Sequence, residues 1–156
     1  MTVYHFSVFL HIICAAFWIG GMLFLPLVVM PAIKNNPHRI PILYTAGLKF
    51  RFYGWITVAM LFLTGLANMH LRNASWTIDF FLHTQYGRLA LIKLLLFAGI
   101  LVASATHDFL IGKQAIDKMM QGSDSIRKIA SWSGRIILLL ALAAAFTGVV
   151  LSRGGM

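Results

Sequence analysis

Four long apolar stretches, at about 3–33, 50–71, 88–111 and 132–152, alternate with shorter polar segments along this chain. Each reaches the roughly 20 residues needed to cross a bilayer. A backbone crossing hydrocarbon must satisfy its own N–H and C=O groups, so each stretch reads as a helix. The pattern predicts an all-α transmembrane four-helix bundle in which residues 1–156 form a single four-span membrane domain. Pro26 and Pro31 predict a bend toward the end of the first span. Lys34–Pro41 reads as a loop, and residues 42–49 as a short interfacial helix before the second span. Gly54, Gly65 and Ala67 offer close-approach points on span two, and Ala141/Ala145 and Ala144/Gly148 do so on span four.

Composition sharpens the class. The chain is 60% hydrophobic and 11% charged, with mean hydropathy +0.83. Ordinary soluble domains are roughly 45–50% apolar. The first apolar run lacks a basic leader and a small-residue cleavage pattern, so it is expected to remain as a span. The formal charge of +9 would suit nucleic acid, but its distribution follows topology instead. Lys34, Arg39, Lys49 and Arg51 flank loop one, and Lys113, Lys118, Arg127 and Lys128 lie in loop three. Only Arg72, Arg88 and Arg153 stand on the other side. This bias predicts loops one and three in the cytoplasm and both termini on the outer, periplasmic side of a bacterial inner membrane. The bilayer and its anionic lipids are the implied partners, with no nucleic acid.

The candidate chemistry lies in the outward half. His11, Cys14, Ala15, Trp18 and Met22 fall on one side of the first helix at about 100° per residue. An ionisable group inside a span is expensive, which makes His11 a functional candidate. Its bland alternative is hydrogen bonding within the core, and for Cys14 it is packing as a small hydrophobe. Met69 and His70 close span two, and Lys93 lies in span three at a depth similar to that of His11. Lys93, Ile100, Ser104 and His107 share one direction, with Tyr86 extending the line. Lys93 either faces inward or snorkels to the headgroups. His107-Asp108 reads as a helix-end pair near Arg51, Trp55 and Arg135, or as a second ligand or proton-relay site.

Two cofactor chemistries fit these residues. Copper(I) accepts thiolate, thioether and imidazole, so His11, Cys14, Met69 and His70 are candidate metal ligands. Haem b would take His11 and His70 as axial ligands, with Lys93 near a propionate. The carboxylates, Asp79, Asp108, Asp117 and Asp124, are too few for a calcium or di-iron site. An accessory membrane subunit without cofactor is the third alternative. A second copy of the chain, or a periplasmic metal or electron partner, is a further expected partner.

The first span, with His11, Phe17-Trp18-Ile19-Gly20-Gly21, Phe24 and Pro31, resembles that of CopD-like (copper-resistance D) membrane proteins. Arg51-Phe52, Leu63-Thr64-Gly65-Leu66 and Tyr86-Gly87-Arg88-Leu89 with Lys93 are similar as well. That resemblance implies an inner-membrane copper transport or resistance protein. His11 and Lys93 also resemble the histidine and lysine of HemJ-type haem-binding membrane oxidases, which implies a haem-dependent oxidoreductase as the alternative. The first span departs from the latter pattern, reading Leu25-Pro26-Leu27-Val28 where that family has a charged, aromatic ending.

Overall fold

The computed structural model describes residues 2–111 and 124–153, and among them it is all-α, without a strand. Of the expected loop three, Lys113, Asp117 and Lys118 lie outside the described residues, whereas Arg127 and Lys128 belong to a helix that already begins at Asp124. The elements are α1 (Thr2–Phe24), a π-helical turn (Leu25–Val29), α2 (Met30–Ala32), α3 (Arg39–Leu71), α4 (Ile78–His83), α5 (Gln85–Ile111) and α6 (Asp124–Ser152). Four segments are long and apolar enough to cross a membrane: Val3–Ala32, Arg39–Leu71, Gln85–Asp108 and Ser131–Ser152. The four expected spans are therefore all present.

The chain packs as two units, Met1–Ala74 and Ser75–Met156, and each is a helical hairpin. In the first, α1 and α3 run antiparallel. Going down α1, Tyr4 meets Arg72, His11 meets Thr64, Trp18 meets Gly54, and Gly21 meets Phe50. The contacting residues of α1 alternate at spacings of three and four when Ser7 and Cys14 are placed between them, which is the period that keeps one helical seam facing its partner. Aromatic rings fill the notches of two glycines. A Cβ at Gly54 would stand 2.8 Å from the Trp18 ring, and one at Gly21 would run into the ring of Phe50. Phe6, Phe9, Ile13 and Phe17 are exposed along the rest of α1, as a lipid-facing surface requires.

In the second unit, α5 and α6 also run antiparallel. Lys93 lies against Gly148, Gly99 near Leu140, and His107 against Ser133. Small and aliphatic side chains close this seam, with Ala90, Ile100, Ile137 and Ala141 buried. Of the small residues expected to give close approach on span four, Ala141 is buried and Gly148 lies against Lys93, whereas Ala145 is exposed.

Local chemistry sets the ends and the bend. Pro26 lacks an N–H and its ring crowds the carbonyl one turn back, so the helix widens there. The Met30 N–H reaches the Leu25 carbonyl, one residue further than in an α-helix. α3 begins at Arg39, before the expected start at 50, so residues 42–49 continue into span two as one helix. Pro41 sits in the first turn, where a missing N–H costs nothing. At the other end of α3, Asn73 takes φ 56°. The Asn73 N–H donates to the His70 carbonyl at 2.9 Å and the Ala74 N–H to the Met69 carbonyl at 3.1 Å, satisfying two terminal acceptors in a Schellman closure.

The loop between the hairpins carries α4. Thr77 caps it by accepting the Phe80 N–H. Thr84 donates to the Phe80 carbonyl at 2.7 Å and accepts the Gly87 N–H at 2.9 Å, tying α4 to the first turn of α5. Only glycine fits at 87, because a Cβ there would collide with that same carbonyl.

Candidate functional site in the first hairpin

Between its Tyr4 and Trp18 levels the α1–α3 seam carries polar side chains inside apolar spans. His11 Nδ1 lies 2.7 Å from Thr64 Oγ1. The Thr64 hydroxyl has one proton, and it points to its own helix, 2.6 Å from the Met60 carbonyl oxygen. Where that hydroxyl donates to Met60, Thr64 Oγ1 accepts from the ring, and this arrangement puts the His11 proton on Nδ1. Nε2 then bears the lone pair. Metal-binding histidines usually donate from one ring nitrogen to an acceptor in this way. Gly65 leaves room beside the ring, whose Cε1 stands 3.6 Å from where a Cβ would be.

Cys14 is half-buried and shares this face of α1, one turn from His11. On the other side of His11, the buried atoms Ser7 Oγ and Asn68 Oδ1 have no hydrogen-bond partner among the described residues. Beyond them, Arg72 Nε donates to the Tyr4 hydroxyl at 2.7 Å, and the guanidinium lies 5.5 Å from the centre of the Tyr4 ring. From that end the seam reads cation and phenol, then amide and hydroxyl, then imidazole, then thiol. Trp18 closes it against Gly54.

The other residues singled out in the sequence lie elsewhere. Met69 is buried, whereas His70 is exposed at the end of α3. His70 is turned about 200° around the helix from Asn68, so the hairpin does not bring it to the seam that holds His11. Lys93 is in the second hairpin, against Gly148. His107 is there too, with its Nδ1 2.6 Å from Ser133 Oγ. Arg135 stacks its guanidinium 5.5 Å from the Trp132 ring. Among the described residues no group of three or more His, Cys, Asp or Glu side chains is placed to hold a metal ion.

Thr64, Ser7 and Asn68 are absent from the sequence-derived candidates. The available signal was their register: in an antiparallel pair of helices, the helix position facing His11 falls near 64 once Tyr4 is set opposite Arg72.

The comparisons with known proteins fit this four-span chain. The family model for copper resistance protein D matches residues 46–151, from the first third of α3 to the last turn of α6. The chain belongs to the CopD family. This makes it a copper-resistance-related, multi-pass membrane protein. The matched segment contains Thr64, Lys93 and His107, while α1 with His11 and Cys14 precedes it. An uncharacterized protein of Aquifex aeolicus (strain VF5) is 34% identical over 148 residues, covering 94% of this chain and 93% of its own length. No solved structure matches the chain.

Proposed function

We propose that this CopD-family protein handles copper in a bacterial inner membrane, moving it or lowering its toxicity by transient soft ligation in the first hairpin. Copper(I) is the substrate, and His11 Nε2 and Cys14 Sγ are its ligands. The observation that carries this reading is the contact of His11 Nδ1 with Thr64, on a helix face that also carries the chain's single thiol. Two soft donors suffice for copper(I), whereas zinc, calcium or a di-iron centre needs more. The low donor number also suits passage, since an ion held by a full cage leaves slowly.

The distribution of basic residues supports an outward placement of His11 and Cys14, with both termini periplasmic. His70 and Met69, at the same end of α3, supply an imidazole and a thioether nearer the surface for receiving the ion. Lys93 is not a copper ligand in this reading, because an ammonium has no lone pair.

Competition titration tests the assignment. The protein in mild detergent, held under reducing conditions, is titrated with copper(I) against a chromophoric chelator. His11→Ala and Cys14→Ser should each weaken binding at least tenfold, and His38→Ala, in the exposed turn before α3, should leave it unchanged. Equal affinity in all three variants would overturn the site. A visible haem band that disappears in His11→Ala would replace the copper reading with a cytochrome.

A further inference from the structure

The second hairpin gathers three cations toward one end, and among the described residues none of them is paired with a carboxylate. Lys93 is half-buried within the span Gln85–Asp108. Arg88 stands on the same helix toward its start, and Arg153 follows the end of α6; both are exposed. The chain has only four carboxylate side chains, Asp79, Asp108, Asp117 and Asp124. The Asp79 carboxylate is exposed on α4, where its contact is with His83 Nδ1 at 3.0 Å. Asp108 lies about 22 Å further along α5, and Asp124 about 36 Å from Gly148 along α6. Asp117 is outside the described residues. Among those residues, no carboxylate pairs with Lys93, Arg88 or Arg153.

The position of the Lys93 cation is set by a notch in α6. A Cβ at Gly148 would stand 3.0 Å from Nζ and 3.8 Å from Cε, so the glycine makes room for the ammonium and the end of its stem. Lys93 is about 12 Å along α5 from its start, and Gly148 about 6 Å before the end of α6. Side chains on a helix lean toward its N-terminus, so the stem carries the charge toward the membrane surface. There it meets the carbonyl end of α6, whose partial negative charge helps to hold it but does not neutralise it. A charge held in a membrane span without a counter-ion is costly, and a bound anion would relieve that cost.

We infer that Lys93, seated on Gly148 with Arg88 and Arg153 toward the same end of the hairpin, binds the oxyanion of a membrane-dissolved amphiphile. The chemistry is a singly charged phosphodiester or carboxylate at the level of the outer turns of α5 and α6. Its source is either a phospholipid headgroup or the carboxylate of a non-phospholipid amphiphile. This site is independent of the copper reading, as it uses no residue of the first hairpin.

Native mass spectrometry of the delipidated protein can decide. Phosphatidylglycerol, oleate and phosphatidylcholine serve as probes in separate titrations. Retention of phosphatidylglycerol over phosphatidylcholine by tenfold or more, lost in Lys93→Gln and kept in Lys93→Arg, is the expected result. Retention of oleate alone, with the same dependence on Lys93, would assign the carboxylate source. Gly148→Ala keeps every charge but displaces Nζ, and should weaken retention several-fold while helicity by circular dichroism stays constant. Equal retention of all three probes, or retention unchanged in Lys93→Gln, would overturn the site. A binding defect in Lys93→Gln with unaltered copper(I) affinity would separate this result from the fate of the copper site.

Discussion

The two hairpins share a plan and differ in what fills it. Each pairs its first long helix antiparallel with its second, and each sets a histidine Nδ1 against a hydroxyl across the seam: His11 with Thr64, His107 with Ser133. In the first hairpin, aromatic rings enter glycine notches, Trp18 at Gly54 and Phe50 at Gly21. In the second, Ala90, Ile100, Ile137 and Ala141 close the seam, and the glycine notch at 148 takes a cation. Ring-in-notch packing holds α1 and α3 at one end and leaves a polar run at the other, where ligand chemistry can lie. Small-residue packing brings α5 and α6 together along their length, so the charge of Lys93 is directed to one end. The same hairpin geometry thus yields a lone-pair site in one case and a cationic site in the other.

The largest way to break this contrast is to fill a notch. Gly54→Val should drive the Trp18 ring out of its seat and cost about 1–3 kcal/mol of hairpin stability, as overpacking does. Gly20→Val, where nothing lies within 4 Å, is the matched control and should cost far less. Thermal unfolding in detergent, followed by circular dichroism, measures both. Equal losses would mean that the ring-in-notch contact does not hold the first hairpin.

A smaller effect separates the two histidines. Thr64→Val removes the hydroxyl that contacts His11 Nδ1, so copper(I) affinity should drop about 10-fold, as for loss of a ligand's supporting hydrogen bond. Stability should fall by only about 0.6 kcal/mol, the average for a hydrogen bond between membrane helices. Ser133→Ala should leave copper affinity unchanged. Chelator competition on the three proteins reads the difference, and a matching loss in Ser133→Ala would erase the distinction between the hairpins.

Much of the fold was legible in the sequence, and less of the site. Four spans follow from hydropathy because lipid demands long apolar helices, and the density of prolines forecast the disturbance near Pro26. The start of α3 was hidden because Arg39–Lys49 is polar enough to read as surface, while Pro41 signals a turn and is equally at home in the first turn of a helix. His11 stood out as an ionisable group in an apolar run. Its partner Thr64 did not, since threonine crosses membranes readily by bonding to its own backbone, as Thr57, Thr106 and Thr147 do here. His70 was drawn to His11 by residue type and depth. Rotation around α3, which no depth argument contains, sets the two apart.

The least effect is expected at the surface of the second hairpin. Asp79→Asn removes the ion pair with His83, whose two side chains are 86% and 73% exposed. Exposed pairs of this kind contribute at most about 1 kcal/mol, and salt weakens them. The melting temperature in high salt should be indistinguishable from that of the parent chain. A clear loss there would show that α4 braces α5 more firmly than its Thr84 and Gly87 contacts require.

The wide turn at Leu25–Val29 has a consequence for how this helix tolerates change. A π turn holds one residue more than the α-helix it interrupts, so everything beyond it is rotated by about 100° from where an uninterrupted helix would carry it. The phase that places Tyr4, His11 and Trp18 on one face is therefore reset after Phe24, and the polar line cannot run on toward Met30. Removing a single residue within 25–29, rather than exchanging one, is the edit that would bring both halves back into phase.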